Sequence, residues 1–263
     1  MAIGISTASF FNKVPTEDSF DALRNLGCNL TEVFLNTRSE YKEAFVTGLA
    51  DKKGDITVHS LHTLGLQFEP ELFSISERVR RDSEENFRKV CRAGQILGAK
   101  YYSFHGPARL KNQKYTLDFG RFGDTLNSVI AITEGFGMKL SYETVHWCHF
   151  SKPDFFANLA ATCPRLYATL DVKQCLQGGI DPLEFLDAIG NRLSTVHLCD
   201  LDNEGNTCLP GRGKYDFGRF FAELCRRGLG GVNMLLEVYP RDYGELGELV
   251  EVCGWLTSLQ VNV

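Results

Sequence analysis

Four side chains that commonly bind metal ions stand where four successive strand-like segments of the sequence end. They are Glu143, Asp171, His197 and Glu237. The intervals between them along the chain are 28, 26 and 40 residues, and each interval is long enough for a loop, a helix and a returning strand. Because the strands of a parallel barrel all end on one rim, we expect these four side chains to converge on one point.

The four side chains form an oxygen-rich set of three carboxylates and one imidazole. Such a set suits Mn²⁺ or Mg²⁺ better than a structural zinc cage. A single strand-end carboxylate is more often part of an ion pair than a metal ligand, so the interpretation depends on all four occurring in register. The sequence therefore predicts one divalent metal ion, with Mn²⁺ as the first choice and Mg²⁺, Co²⁺ or Zn²⁺ as alternatives.

The elements that would position these residues alternate between short β-branched or apolar runs and longer amphipathic stretches. This alternation is typical of repeated βα units around a parallel sheet. The candidate strands are residues 2–6, 29–35, 55–60, 100–105, 138–143, 166–171, 193–198 and 232–238. The candidate helices are residues 16–27, 39–51, 75–98, 116–136, 153–162, 181–190, 216–229 and 243–259. Eight units in 263 residues predict an α/β fold, a single (β/α)8 TIM barrel domain spanning residues 1–263.

The alternation within the predicted strands gives each of them an inner face. Ser141, Thr169 and Thr195 each precede a candidate ligand by two residues, so each pair shares a face. We therefore expect small hydroxyl side chains inside the barrel, beneath a polar mouth. The longest connections without clear periodicity, residues 62–74 and 200–214, follow strands and are the candidate covers of that mouth.

Composition excludes several classes of partner. The formal net charge is −5 and the basic residues are scattered, so the chain offers no broad surface for nucleic acid. No segment is long and apolar enough for a membrane span, and the first residues do not resemble a secretory leader. Nine cysteines without a Cys-x-x-Cys pair are typical of reduced thiols, which predicts a cytoplasmic protein.

Five short motifs carry a resemblance that extends over nearly the whole chain. They are Tyr142-Glu143-Thr144, Leu170-Asp171-Val172, Val196-His197-Leu198, Leu236-Glu237-Val238, and Leu209-Pro-Gly-Arg-Gly213 ahead of Asp216-Phe217. In this order and spacing they resemble the xylose isomerase-like barrel superfamily. That superfamily includes sugar phosphate isomerases and epimerases, ketose 3-epimerases, hydroxypyruvate isomerases, inosose dehydratases and endonuclease IV.

The resemblance implies roles for particular residues. The four strand-end residues would bind the metal ion, and Glu143 and Glu237 would also act as the catalytic acid and base. His59 and His105 match substrate-facing histidines on the rim, and Arg212 looks like a loop arginine that contacts substrate hydroxyls. A sugar with a carbonyl beside a hydroxyl would be enolised as a metal-bound enediolate. We therefore expect an isomerase or epimerase of a small sugar or sugar phosphate.

One segment departs from the family pattern. Many members carry Asp-x-x-His after the sixth strand, whereas this chain reads Asp171-Val-Lys-Gln174. The substrate is therefore not fixed by the resemblance, and Lys173 is a candidate contact for an anionic substrate group. Lys173 and Arg212 are equally well explained as solvated loop cations.

Three alternatives to an isomerase are weighed. A keto-polyol dehydratase could use the same residues, and a non-catalytic barrel could bind a sugar or a partner subunit. An endonuclease IV-like repair enzyme is disfavoured, because position 174 is not histidine and no Asp-x-His pair follows His197. The sequence leaves the oligomeric state, a homo-oligomer included, undetermined.

Overall fold

The computed structural model describes residues 1–109 and 117–261, and within them eight parallel strands close into a barrel. The barrel strands are β1 Ile3–Ser6, β2 Leu30–Leu35, β3 Thr57–Thr63, β4 Tyr101–Phe104, β5 Lys139–Glu143, β6 Tyr167–Asp171, β7 Leu193–Leu198 and β10 Asn233–Leu236. Each strand pairs with its neighbours in chain order, and β10 closes the ring against β1. A separate antiparallel hairpin, β8 Asp200–Leu201 and β9 Thr207–Cys208, lies between β7 and β10 in the sequence.

Helices connect the successive strands. They are α1 Ser19–Asn25, α2 Glu43–Lys53, α3 Glu77–Leu97, α4 Phe119–Gly135, α5 Pro153–Ala160, α6 Val172–Gln177, α7 Pro182–Ile189, α8 Phe217–Arg226 and α9 Gly247–Val261. Shorter 3₁₀ turns span Thr7–Phe10, Thr16–Asp18, Gly65–Gln67, Glu69–Phe73, Gly190–Arg192 and Pro240–Asp242. The predicted (β/α)8 TIM barrel is confirmed. The predicted start of the fourth helix at residue 116, and residues 262–263, lie outside the described residues.

The strands alternate between two environments, as the sequence predicts. Leu140 and Tyr142 are fully buried on the outer face of β5, and the Tyr142 ring packs edge-on against Phe155 of α5. On the inner face, the hydroxyl of Ser141 lies 2.6 Å from that of Thr169 on the next strand. The core between barrel and helices is therefore apolar, whereas the interior of the barrel is a layer of hydroxyl groups.

A β-bulge in β3 changes which histidines face the rim. Thr31 of β2 pairs with Val58, but the next residue, Glu32, pairs with Ser60, so His59 is the extra residue of the bulge. The strand then continues to Thr63, three residues beyond its predicted end. As a result His62, rather than His59, is carried to the carboxyl-terminal end of β3.

Two rim segments hold structure that the sequence did not predict. Helix α6 begins directly after β6, and the Asp171 side chain caps it by accepting a hydrogen bond from the backbone N–H of Gln174. Within the segment 200–214, residues 200–208 form the β8–β9 hairpin. The Asp200 carboxylate holds its base by accepting hydrogen bonds from the backbone N–H groups of Leu201 and Tyr215. Among the described residues, no helix has both the length and the apolar character needed to span a bilayer.

Candidate metal centre

The four predicted ligands converge on the carboxyl-terminal rim of the barrel. Glu143 and Asp171 are the last residues of β5 and β6, His197 lies opposite Asp171 in β7, and Glu237 follows β10. One ligand atom from each of the four residues lies within 4.8 Å of those of the others. The Nδ1 of His197 is 3.2 Å from Oε1 of Glu143 and 3.5 Å from Oε2 of Glu237. The barrel register therefore brings together residues that are far apart in the sequence.

Among the described residues, two carboxylate oxygens at this point are buried and form no hydrogen bond. They are Oε2 of Glu143 and Oδ2 of Asp171, and both residues are 1% exposed. Each has a basic side chain nearby, His105 at 3.2 Å from Oε2 of Glu143 and Lys173 at 3.4 Å from Oδ2 of Asp171. A buried carboxylate oxygen that accepts no hydrogen bond is costly unless a cation compensates it. The donor set of three carboxylates and one imidazole, together with these two oxygens, fits a divalent metal ion.

The second ring nitrogen of His197 is held by another carboxylate. Its Nε2 lies 3.3 Å from Oε2 of Glu32, which is completely buried beneath the centre. Three serine hydroxyls donate to the Glu32 carboxylate, from Ser6 at 3.0 Å and from Ser60 and Ser103 at 2.7 Å. A proton on Nε2 would leave Nδ1 unprotonated and directed at the ligand carboxylates. Metal-binding histidines commonly have such a carboxylate partner.

The two carboxylate oxygens of Asp171 have different roles, one in the fold and one at the candidate metal centre. Its Oδ1 accepts the backbone N–H of Gln174 at 2.9 Å, and its backbone N–H donates to the Thr144 hydroxyl at 2.8 Å. Burial raises the pKa of Asp171 to about 7, against the opposing influence of Lys173. The orientation of the side chain is thus fixed by α6, while Oδ2 faces the centre.

Lys173 lies inside the centre rather than in an exposed loop. Its Nζ is 3.1 Å from Oε2 of Glu237 and 3.4 Å from Oδ2 of Asp171, and the side chain is 5% exposed. Burial lowers the pKa of the ammonium group, but the carboxylates of Asp171 and Glu237 raise it well above the usual lysine value. Lys173 is therefore a charged partner of two candidate ligands.

Two histidines approach the other side of Glu143. The Nε2 of His105 lies 3.2 Å from Oε2 of Glu143, and the Nε2 of His62 lies 3.6 Å from the same oxygen. The two imidazole rings meet edge to face at 4.6 Å. Burial lowers the pKa of His105, but the Glu143 carboxylate outweighs it and raises the pKa to about 9. Burial raises the pKa of Glu143, but His197 and His105 hold it well below the usual value.

A cavity of about 340 Å³ opens above the centre. Its floor contains His62, His105, Glu143, Asp171, Lys173, Gln174 and Glu237. Its walls are mostly apolar and are formed by Ala8, Phe11, Phe34, Leu64, Trp147, Val238, Tyr239 and Pro240. Polar groups are therefore concentrated at the bottom of a small cavity with an aromatic mouth, as in many small-molecule sites.

Two of the predicted substrate-binding residues lie elsewhere. His59 is buried lower in the barrel, where its Nε2 lies 3.0 Å from the Thr195 hydroxyl and its Nδ1 lies 3.2 Å from the Asn233 amide. Arg212 pairs with Glu248 at 2.6 Å at the start of α9, and its side chain is 52% exposed. Neither residue lines the cavity, because the bulge displaces His59 and the ion pair holds Arg212 outside.

Sequence reasoning left two residues of this centre, Glu32 and His62, without a role. A signal for Glu32 was present, since a carboxylate in the middle of a strand needs a buried partner. The signal for His62 was hidden by the bulge, since uninterrupted alternation from Thr57 through His59 places His62 on the opposite face. Both residues contact the predicted ligands.

Comparison with known families and structures agrees with this fold. Residues 20–259 match the family model described as xylose isomerase-like TIM barrel. No curated protein sequence matches the chain. A crystal structure of a D-tagatose 3-epimerase-like protein superimposes with a TM-score of 0.80 at 17% identity, covering 100% of this chain and 99% of the other.

Two further structures are similar over most of their length. D-psicose 3-epimerase with D-tagatose, from Clostridium cellulolyticum H10, has a TM-score of 0.74 at 16% identity and covers 96% of this chain and 90% of its own. The IOLI protein with a binding zinc atom has a TM-score of 0.80 at 17% identity and covers 100% of this chain and 99% of its own. At these identities the likeness shows a shared fold.

Proposed function

The chain belongs to the xylose isomerase-like TIM barrel family, and from that premise we propose that it is a metal-dependent isomerase or epimerase of a small sugar or sugar phosphate. The observation that carries the proposal is the pair of buried glutamates, Glu143 and Glu237. They face one small cavity, and both belong to the same candidate ligand set. Structures of similar fold include proteins named as 3-epimerases of sugars, which supports this substrate class.

Glu143, Asp171, His197 and Glu237 are the residues that would hold the ion. A bound divalent cation would supply stabilisation of the negative charge that develops on two adjacent substrate oxygens. The Glu32 carboxylate orients His197 for this purpose, and α6 orients Asp171. Mn²⁺ is the proposed ion because the donors are mainly carboxylate oxygens.

In this proposal the two glutamates exchange protons with opposite sides of a bound substrate. Strands β6 and β7 lie between β5, which ends in Glu143, and β10, which precedes Glu237. Burial raises the pKa of Glu237, but Lys173 and His197 together outweigh it and the net shift is downward, as for Glu143. Both side chains are therefore ionised at neutral pH, so that either can accept a substrate C–H proton.

His105 and Lys173 serve the glutamates and the substrate together. The His105 imidazole lies against Glu143, and the Lys173 ammonium lies against Glu237. Each cation stabilises its carboxylate before reaction and can donate to a substrate oxygen that enters the cavity. Lys173 would thus contact a polar group of the substrate while it stays paired with Glu237. It is not an unpaired cation that awaits an anionic substrate group. Trp147 and Phe34 offer flat faces for the C–H surfaces of a sugar.

Solvent exchange tests this proposal before the substrate is identified. The protein with Mn²⁺ is incubated in D₂O with a panel of ketoses, their phosphates and keto-polyols, and deuterium at carbon is measured by NMR. We expect exchange with at least one member of the panel. Glu143→Gln and Glu237→Gln should each lower the exchange rate at least about 10²-fold, the scale of general acid–base catalysis.

The control is Glu43→Gln, which alters a surface carboxylate paired with Arg92 and should leave exchange unchanged. Metal content is measured in each variant, so that loss of the ion is separated from loss of a proton carrier. Absence of exchange with every compound, or undiminished exchange in Glu143→Gln at full metal loading, would contradict the proposal. Product analysis then separates isomerisation from dehydration, because loss of water changes the mass of the product.

A further inference from the structure

Glu69 is a completely buried carboxylate in the segment between β3 and α3. It lies in the 3₁₀ turn Glu69–Phe73, within the connection that the sequence identifies as a candidate cover of the site. Burial raises the pKa of Glu69, and the charge on His105 opposes that rise. A buried charge costs several kcal/mol unless nearby charges and hydrogen-bond donors compensate it, so a carboxylate at such a place also needs donors.

The partners of Glu69 are hydrogen-bond donors at the end of β4. Its Oε1 accepts a hydrogen bond from the Tyr102 hydroxyl at 2.7 Å. Its Oε2 accepts the backbone N–H groups of His105 and Gly106, both at 2.9 Å. Two successive N–H groups that point at one oxygen form a small anion-binding nest. The carboxylate therefore fixes the backbone of His105 itself.

The same network reaches the end of β3. The Tyr102 hydroxyl that donates to Glu69 also lies 2.9 Å from the hydroxyl of Thr63, the residue that follows His62. One carboxylate thus links the two strand ends that carry His62 and His105. Both imidazoles lie against Oε2 of Glu143, at 3.6 Å and 3.2 Å.

Two glycines lie so close to the groups around Glu69 that neither position has space for a side chain. A Cβ at Gly65 would lie 2.3 Å from the carboxyl carbon of Glu69, so the loop backbone packs directly on the carboxylate. Gly106 has φ of +66°, and a Cβ there would lie 2.1 Å from the Tyr142 hydroxyl. The left-handed turn at Gly106 presents its N–H group to Glu69, and a side chain at that position would oppose it.

We propose that Glu69 is a positioning residue, whose buried carboxylate fixes the ends of β3 and β4 so that His62 and His105 stay in place against Glu143. The expected effect on turnover rests on the proposed function, because it requires Glu143 to transfer a proton during the reaction. The expected effect on the backbone is independent of that function. Glu69 itself does not line the cavity, so it acts only through these histidines.

Two substitutions at Glu69 separate hydrogen bonding from the filling of space. Glu69→Gln keeps an oxygen for the two N–H groups, and its amide N–H can donate to the Tyr102 oxygen. Glu69→Leu fills a similar volume but leaves the N–H groups of His105 and Gly106 without an acceptor. The matched control is Ser83→Ala, which removes a buried 2.6 Å hydrogen bond to the Phe68 carbonyl next to Glu69 but touches neither histidine.

The first measurement is the kinetics of C–H exchange in the folded, Mn²⁺-loaded variants. Glu69→Leu should lower kcat about 30-fold or more with KM changed less than about threefold, because a misplaced catalytic group costs rate rather than binding. Glu69→Gln and Ser83→Ala should stay within about threefold of the wild type. Unchanged kcat in Glu69→Leu would overturn the proposal. Equal losses in Glu69→Leu and Ser83→Ala would do the same, because they would indicate general loosening of the segment.

The second measurement needs no substrate. Amide hydrogen exchange of His105 and Gly106 is followed by NMR in the Mg²⁺-loaded proteins, because paramagnetic Mn²⁺ would broaden the signals of these amides. Glu69→Leu should accelerate both amides by about tenfold or more, whereas Glu69→Gln and Ser83→Ala should not. Slow exchange retained in Glu69→Leu would contradict the positioning role even if no sugar is turned over. If no sugar is turned over and the amides respond as expected, the proposed function fails but the positioning role stands.

Discussion

His197 connects two carboxylates that serve different purposes. Its Nδ1 faces Glu143 and Glu237 at the candidate metal centre, and its Nε2 faces Glu32 in the barrel interior. Burial lowers the pKa of His197, but Glu32, Glu237 and Glu143 together raise it well above the usual value. A metal ion would replace the proton on Nδ1, while the proton shared with Glu32 would remain. Glu32 therefore determines which nitrogen is offered to the ion.

We expect Glu32→Gln to weaken metal binding. An amide is a poorer partner than a carboxylate for the Nε2 proton, so the tautomer and orientation of His197 would no longer be fixed. Loss of such a partner typically costs 10- to 100-fold in metal affinity, and we expect a loss of about that size for Mn²⁺ in a calorimetric titration. Ser103→Ala removes one 2.7 Å donor to Glu32 and should cause a much smaller loss. Unchanged affinity in Glu32→Gln would show that Glu32 does not orient the ligand.

At the scale of elements, the sequence locates strand ends well where alternation is unbroken. Strands β5 to β7 end at or within a residue of their predicted positions, so Glu143, Asp171 and His197 are found from pattern alone. Strand β3 contains a bulge, which reverses the alternation after His59. A bulge sets two residues opposite one residue of the neighbouring strand, but it leaves no mark in the order of apolar and polar residues. The sequence therefore could not show that His62, and not His59, reaches the rim.

Other differences at this scale arise from contacts between distant segments. The position of Arg212 depends on Glu248, which is 36 residues away, and the burial of Lys173 depends on Glu237, 64 residues away. Local sequence contains neither relationship. The start of α6 is different, because aspartate is a common N-cap residue and Asp171 accepts the backbone N–H group three residues later. The sequence therefore contains a signal for this helix.

The turn after β4 gives a prediction at the same scale. Gly106→Ala should destabilise the protein by about 2–4 kcal/mol, because it combines a left-handed φ with a Cβ that collides with Tyr142. Gly98→Ala is the matched control, since Gly98 also has positive φ, +74°, but no atom lies within 4 Å of its added Cβ. It should cost only about 1 kcal/mol. Urea unfolding of the three proteins would test this, and equal losses in both variants would contradict the role assigned to the close contact.

At the scale of the whole molecule, the closed barrel gathers buried acidic groups at one end. Glu32, Glu143 and Asp171 lie in three different strands and Glu237 follows a fourth, and each is at most 8% exposed. Lys173 and the histidines offset part of this charge. A divalent cation would offset much of the rest, which connects the formation of the site to the stability of the fold.

The free energy of unfolding should also depend on the protonation of Glu69. Burial raises the pKa of Glu69 to about 7, from the 4.5 that is usual for a glutamate in water. The folded protein therefore binds more protons than the unfolded chain between these values. The stability that this proton contributes is complete below about pH 4.5 and is lost as the pH rises through about 7.

Glu69→Gln lacks this titration, so its stability relative to the wild type should increase with pH. Between pH 5 and pH 8 we expect a relative gain of about 2–3 kcal/mol. Urea unfolding with a chelator present removes any contribution from bound metal. A difference between the two proteins that does not change with pH would contradict the raised pKa.

The proposed centre requires that residues at the ends of β5, β6 and β7 and after β10 hold one metal ion. Anomalous diffraction at the manganese edge, from crystals grown with Mn²⁺, would locate that ion. We expect one strong peak about 2.0–2.3 Å from ligand atoms of Glu143, Asp171, His197 and Glu237. A peak elsewhere, or no peak at saturating Mn²⁺, would rule this centre out.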